Sequence, residues 1–394
     1  MNPRKYRGAM NPRKYRGAMI EGPRAARADE LDAVIELATT VFRREGDTDM
    51  GAAFPTLFNA GNLENLQIML DAGRPVALAG AVLRDLSISG ARLPAGLVGA
   101  VCTREDLRGQ GLAGRVVEQV VARCSELGAA AVLISGARTL YRRMGCVDAG
   151  LWQTVHVRET DALPRPACAV TEWSARDVPE MIALYEAEPV RFERGAEEMR
   201  LLLEARSLYA HPARTWVCRV GGALAAYVCC AGPERAKEWT VLEALEIAGS
   251  RRAILSAMPA ILAATGASGA EIETTASDLE MTDLARAHNL SSVLRGFHGT
   301  MKIVDTARLF NAMEGNIAGR LTAAERAGLA IECGATVFFR YKGAELAVSD
   351  PADLAALVFG SVEREPPVAE DRTLQEVLAR LFPLPLPSYG LNYI

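Results

Sequence analysis

Two rhythms of apolar and polar residues alternate along this chain. Leu97-Val98-Gly99-Ala100-Val101-Cys102-Thr103 is short, apolar and β-branched at several positions, the pattern of a buried strand. Shortly after it, Leu112, Val116, Val120, Cys124 and Leu127 recur at spacings of four, four, four and three, with Arg115, Glu118, Gln119, Arg123 and Glu126 between them. That spacing predicts a half-buried helix. Ala129–Ser135 returns to the strand pattern. Upstream, an acidic first turn opens a helix over about residues 27–43, residues 45–58, polar at their start and glycine-containing, read as a loop over the substrate side, and Pro75–Leu83 and Leu86–Ala91 as strands.

The same plan recurs further on. Ala175–Glu188 and Ala196–Ala205 predict helices, and Thr215–Val220, Ala223–Cys230 and Val241–Ile247 predict strands. A helix through Leu255, Met258, Ile261 and Leu262 follows. Beyond Asp305 the character changes: a helix at Leu309–Met313, short strands at 329–332, 336–341 and 344–348, a helix capped by Asp350-Pro351, and a last helix through Leu374, Val377, Leu378 and Leu381. The tail from Pro383 has prolines at alternate positions, which pre-extend it and reduce the entropy lost when its end is fixed. The expected fold class is mixed α+β: two units of strands and helices on the same plan, and a small α+β unit. Their expected bounds are 19–163, 164–304 and 305–394, with Pro164-Arg165-Pro166 as a linker.

Between the strand ending at Thr103 and the helix opening at Leu112 lies Arg108-Gly109-Gln110-Gly111-Leu112-Ala113. Glycines at a strand-to-helix junction let a ligand approach the first helical turn, whose unpaired N–H groups and dipole favour anions. Such a loop holds a phosphate or diphosphate, or else merely caps its helix. Gly109, Gly111 and Gly114 formally match a dinucleotide fingerprint, but the region about 20 residues on (Ala129-Ala130-Ala131-Val132) carries no acid. A P-loop's Gly-Lys-Ser/Thr ending is absent. The remaining pattern, Arg/Gln-x-x-Gly-x-Gly/Ala, resembles the pyrophosphate loop of the GNAT superfamily of N-acetyltransferases. Downstream, Tyr141-Arg142-Arg143-Met144-Gly145-Cys146 resembles the Tyr-x-x-x-Gly-aromatic pattern of that superfamily, with Cys146 in place of the aromatic residue.

The three-part order also resembles the enhanced intracellular survival (Eis) family, over about residues 20–394. That resemblance implies tandem GNAT folds, each a central mixed sheet flanked by helices and the second degenerate, and a C-terminal part like a sterol carrier protein. It implies that Tyr141 is the general acid, that Ile394 supplies a terminal carboxylate to the active site, that Val101, Cys102 and Thr103 hold the acetyl-CoA arm, and that Arg108 to Ala113 hold its pyrophosphate. It also implies a homo-oligomer, a hexamer. The chemistry is consistent with these roles. A tyrosine of reference pKa about 10 is a sensible donor to a leaving thiolate, while a terminal carboxyl, reference about 3.5, is a weak base unless desolvated or acting through water. A backbone N–H near Val101 would polarise the thioester oxygen.

Composition narrows the partners. Residues 1–9 recur unchanged as 10–18, a basic segment expected to be disordered that either arises from a duplicated start, with Met19 as an older one, or is an arm for nucleic acid or an anionic surface. Setting aside its 6 basic residues from the 44 leaves 38 Lys and Arg against 48 Asp and Glu, a net −10. That balance disfavours nucleic acid and mildly suits a cationic substrate. No apolar run reaches the about 18 residues that cross a bilayer, so a cytoplasmic protein without a membrane partner is expected. The eight cysteines form no C-x-x-C pair and the four histidines are scattered, so no metal is expected. His156 is strand-like and faces either the substrate groove or a structural or solvent role; Glu45, Asp47 and Asp49 either line a cation-accepting mouth or serve solubility; Arg142 and Arg143 either hold CoA phosphates or are solvated.

The function these readings support is acetyl-CoA-dependent N-acetylation of a primary amine, small-molecule or peptide: a polyamine, an aminoglycoside-like compound or a lysine. The alternative is a protein that binds a lipid or other apolar ligand, with the acetyltransferase units as scaffold.

Overall fold

The computed structural model describes residues 20–44, 46–164, 168–209, 211–236 and 239–394. The duplicated segment 1–18, Met19, Glu45 and most of the expected linker lie outside the described residues.

The first sheet orders five strands as in the chain: β1 (Glu21–Ala25), β2 (Leu66–Asp71), β3 (Arg74–Ile88), β4 (Ala91–Thr103) and β5 (Ala131–Ile134). All neighbours are antiparallel except β4 and β5, which run parallel. The two strands expected at 75–83 and 86–91 are one strand: the chain turns only at Ser89-Gly90, both with positive φ (+49° and +88°). Side chains alternate across the sheet. Leu78 and Leu86 pack with Val34 and Leu37 of α1 (Leu31–Phe42), while Ala77, Ala79 and Val98 pack with Val116 and Val120 of α3 (Leu112–Glu126), so the two helices cover opposite faces. The expected stripe of α3 is buried except for Leu127, which ends the helix at 46% exposure. The expected loop at 45–58 contains a short helix, α2 (Met50–Ala53), and α4 (Thr139–Arg143) follows β5.

From β6 (Leu151–Arg158) the chain builds a second sheet. Its elements are β7 (Ala169–Glu172), α5 (Val178–Glu186), β8 (Val190–Phe192), α6 (Ala196–Ala205), β9 (Ser207–Leu208), β10 (His211–Val220), β11 (Ala223–Ala236), β12 (Trp239–Gly249), α7 (Arg251–Thr265), β13 (Gly269–Thr275), α8 (Leu279–Ala287) and β14 (Ser292–Gly296). The spatial order is β14-β6-β13-β12-β11-β10-β7, again with one parallel pair, β12–β13. The sheets exchange strands. β6, which precedes the expected boundary at 163, pairs with β13 and β14, whereas β15 (Thr300–Ile303), which precedes the boundary at 304, returns to pair with β5. β8 pairs with the end of β3.

The last part is α9 (Thr306–Gly319), α10 (Ala323–Gly328), the three-stranded sheet β16 (Leu329–Glu332), β17 (Val337–Tyr341) and β18 (Ala344–Val348), then α11 (Pro351–Phe359) and α12 (Arg372–Leu381). Phe310, Phe339 and Phe382 meet edge to face at 5.7–6.4 Å in its interior, which joins the core of the first sheet. Beyond Phe382 the proline-rich tail runs back across both sheets. Among the described residues no helix is long and apolar enough to cross a membrane.

Candidate active site

Strand β4 carries the irregularity that opens the site. Opposite β3, Leu78 pairs with Cys102 but Gly80 pairs with Gly99, so β4 holds one extra residue there, and Ala100 takes a positive φ of +51°. Pairing with β5 ends just before this bulge, at Val98 and Ile134. Beyond it β4 continues as Gly99–Thr103 with no ladder partner on the β5 side.

The widening gap leads into a groove of about 380 Å³, lined by Val101, Cys102, Thr103, Arg108, Gly109, Gly111, Leu112, Ala113 and neighbours from α1 and α4. The structure therefore brings together eight of the nine residues expected to hold the cofactor, and turns Gln110 out as an exposed side chain that does not line it. Gly109 and Gly111 have φ of +79° and +78°, and a Cβ on either would meet nothing within 4 Å. Both glycines thus face open space at the N-terminus of α3, where free backbone donors suit a diphosphate. Thr103 Oγ1 is buried in the same wall with no hydrogen-bond partner among the described residues, an orphan acceptor and donor that a ligand's polar arm would satisfy. The Arg108 Nε–H donates to the Thr103 carbonyl at 3.4 Å.

A smaller chamber of about 120 Å³ adjoins the groove and shares Phe42, Val101 and Arg138 with it. Tyr141 and Ile394, 253 positions apart in sequence, both line this chamber. Tyr141 is buried at the side of Gly136, and burial pushes its hydroxyl up to about 12 despite the opposing charge of Arg138. The Ser135 hydroxyl donates to the terminal carboxyl of Ile394 at 2.6 Å.

The tail that delivers this carboxyl is held at each step. Trp152 Nε1–H donates to the Leu386 carbonyl (3.3 Å), the Ser388 hydroxyl to the Leu245 carbonyl (2.9 Å), and the Leu391 N–H to Glu246 (3.0 Å). Glu246 also takes two bonds from Arg194, at 2.6 and 3.2 Å, and one from the Tyr227 hydroxyl at 2.9 Å. Burial opposes the charge on Arg194, but the adjacent Glu246 outweighs it and keeps the guanidinium ionised. Tyr393 stacks on Tyr209 at 4.2 Å and packs edge-on against Tyr389 at 5.5 Å.

Other expected candidates fall elsewhere. His156 sits in the second sheet beside Glu271, 3.4 Å away, and takes no part in the groove. Asp47 accepts the N–H of Arg44 and Asp49 caps α2, while Glu45 lies outside the described residues. Arg142 is paired with Asp148 and Glu363, and Arg143 is exposed away from both cavities. Cys146 is buried beneath Tyr141, donating its N–H to that residue's carbonyl at 3.0 Å, and burial pushes its thiol up to about 11. Among the described residues no group of three or more histidine, cysteine or carboxylate side chains is placed to hold a metal ion.

Residues 23–148 match the family model of the acetyltransferase (GNAT) domain. The N-terminal unit is accordingly a GNAT acetyltransferase domain and the chain an acyltransferase; domains of this class use acyl-CoA. In overall fold the chain is similar to a GCN5-related N-acetyltransferase from Anabaena variabilis, with 14% identity, a TM-score of 0.63, and coverage of 92% of this chain and 97% of that one. It is also similar to Eis1 from Mycobacterium abscessus (15% identity, TM-score 0.61, covering 95% and 100%) and to a GCN5-related N-acetyltransferase from Kribbella flavida (14%, 0.56, 91% and 95%). At such identities the likeness is one of fold. No curated protein matches the chain in sequence.

Proposed function

We propose that the protein transfers the acetyl group of acetyl-CoA to a primary amine of a small molecule or peptide, in a ternary complex and without a metal. The observation that carries this reading is the convergence of Tyr141 and the Ile394 carboxyl on one chamber at the open end of the glycine-lined groove. The diphosphate is held by the N–H groups from Arg108 to Ala113, and the thioester arm runs along Val101–Thr103. A β4 backbone N–H near Val101 polarises the thioester oxygen. The terminal carboxylate takes a proton from the incoming ammonium and passes it to solvent, the freed amine attacks the thioester carbon, a C–N bond forms, the C–S bond breaks, and the nitrogen's second proton returns to the Tyr141 oxygen once that group has protonated the thiolate. Tyr141, protonated across the physiological range because its hydroxyl is pushed up to about 12, gives its proton to the departing thiolate. Holding both substrates in one place supplies much of the acceleration.

The second sheet supports the reading of residues 164–304 as a degenerate copy. Its parallel pair also ends early, after Ala244 and Ile272. Where a diphosphate would sit, at the start of α7, Glu188 accepts the Gly249 N–H (2.9 Å) and pairs with Arg251 (2.6 Å). A protein carboxylate thus fills the anion position. The rings of Phe310, Phe339 and Phe382 fill the interior of the C-terminal part, which favours the enzyme over the lipid-binding alternative. By resemblance alone, the proposal extends to an Eis-like organisation with a sterol-carrier-like last part, a hexamer and a cytoplasmic location. Release of CoA thiol from acetyl-CoA, titrated in the presence of a panel of primary amines, tests the activity. Amine-dependent release supports it; none from any amine, with acetyl-CoA bound, contradicts it.

A further inference from the structure

We infer that the acceptor is a small monoamine on an aromatic or apolar body rather than a polycation. The inference rests on the acetyl-transfer reading above and narrows its acceptor. The chamber beside Tyr141 measures about 120 Å³. An apolar cavity of roughly 150 Å³ holds one benzene, so the part of the acceptor buried here is the size of a ring. Its walls are aromatic: Phe42, Phe54, Tyr209 and Tyr393 line it, with Tyr209 and Tyr393 stacked at 4.2 Å and 23°. Flat rings offer such a body both dispersion contact and, for its ammonium, a π face.

The charges in the wall decide how many ammonium groups can enter. Among the described residues that line the chamber, the single negative group is the Ile394 carboxyl, and the positive groups are Arg43 and Arg138. Asp47 and Asp49, close in sequence, are engaged as backbone caps outside it. One carboxylate matches one ammonium, the one that must lose a proton before attack. A second ammonium would find no second carboxylate among the described lining residues and would lie near the Arg43 and Arg138 guanidinium groups instead. Polyamines and aminoglycosides carry several such groups.

The test compares 2-phenylethylamine with spermidine in thiol release from acetyl-CoA, alongside calorimetric binding of each amine to CoA-saturated protein. The expected result is saturable binding of 2-phenylethylamine and a kcat/KM at least tenfold above that of spermidine. Phe42→Glu adds a carboxylate at a lining position that is 37% exposed and, in protein whose unfolding midpoint matches the wild type, is expected to shrink that ratio at least fivefold. Spermidine turned over equally well or better overturns the inference. So does a protein that binds acetyl-CoA but shows no saturable binding of 2-phenylethylamine, or a folded Phe42→Glu with an unchanged ratio. Failure of acetyl-CoA itself to bind would instead remove the acetyl-transfer reading, and the inference with it.

Discussion

Gly99 lies directly beneath the terminal carboxyl of Ile394: a Cβ at residue 99 would collide with the carboxyl group and come within 3.0 Å of the Ile394 Cγ1. The bulge of β4 and the end of the chain are thus fitted to each other, and only glycine leaves room between them. Gly99→Ala is expected to displace the carboxyl and lower kcat at least tenfold while acetyl-CoA affinity stays within about twofold. Steady-state kinetics with calorimetry checks this; an unchanged kcat would separate the carboxyl from the chemistry.

Tyr141→Phe removes one hydroxyl from a buried ring and keeps its packing. General acid catalysis is worth about 10²–10⁴-fold, so kcat is expected to fall by at least about 10² with little change in KM. Retention of full turnover would leave Tyr141 a packing residue.

Glu246 anchors the tail and neutralises Arg194, whose side chain is fully buried. Removing one partner of such a pair leaves an uncompensated buried charge, at a cost of about 3–5 kcal/mol. Glu246→Ala is therefore expected to lower the thermal midpoint clearly and to weaken turnover through the loosened tail, read by calorimetric unfolding and thiol release.

His298 bonds Glu273 at 2.5 Å and meets the Tyr209 ring edge-on at 5.9 Å. Burial lowers its pKa, but the hydrogen bond and charge of Glu273 outweigh burial and raise it above 6.5. A group raised on folding contributes stability that is fully present below the unfolded value and is lost as pH rises through the folded one. Stability of the wild type relative to His298→Gln is thus expected to be greatest below about pH 6.5 and to decline above it. A difference that grows with rising pH would contradict the pairing.

The groove was legible in the sequence because its parts are local. A buried strand, a glycine pair and an amphipathic helix close together in sequence prescribe an open strand-to-helix junction. The chamber was not, because its walls come from distant segments. Ser135 and Arg138 stand beside a strand the sequence shows, and Phe54 lies in the loop expected over the substrate side, but nothing local marks Arg43 or Tyr209, and Gly99 reads only as one apolar strand residue. Glu246 looks like a polar interruption of a strand until its partners Arg194, Tyr227 and Leu391 are seen together. The exchange of β6 and β15 between sheets was likewise hidden, since periodicity predicts a strand but not its neighbour. β2 is not legible because the buried run Leu66–Leu70 is short and holds Gln67 inside it, so it shows neither a clean apolar run nor an alternation.

The central claim, that acetyl-CoA lies along β4 with its diphosphate at the start of α3, is tested most directly by calorimetry of acetyl-CoA on the wild type and on Gly111→Asp. Position 111 faces open space with a positive φ that aspartate tolerates better than most residues, and an acid suits a helix N-terminus, so the variant is expected to fold. Its carboxylate would occupy the diphosphate position. Micromolar binding by the wild type, weakened at least a hundredfold in the variant, is the expected result. Equal binding by the two proteins, or none by the folded wild type, would contradict the account.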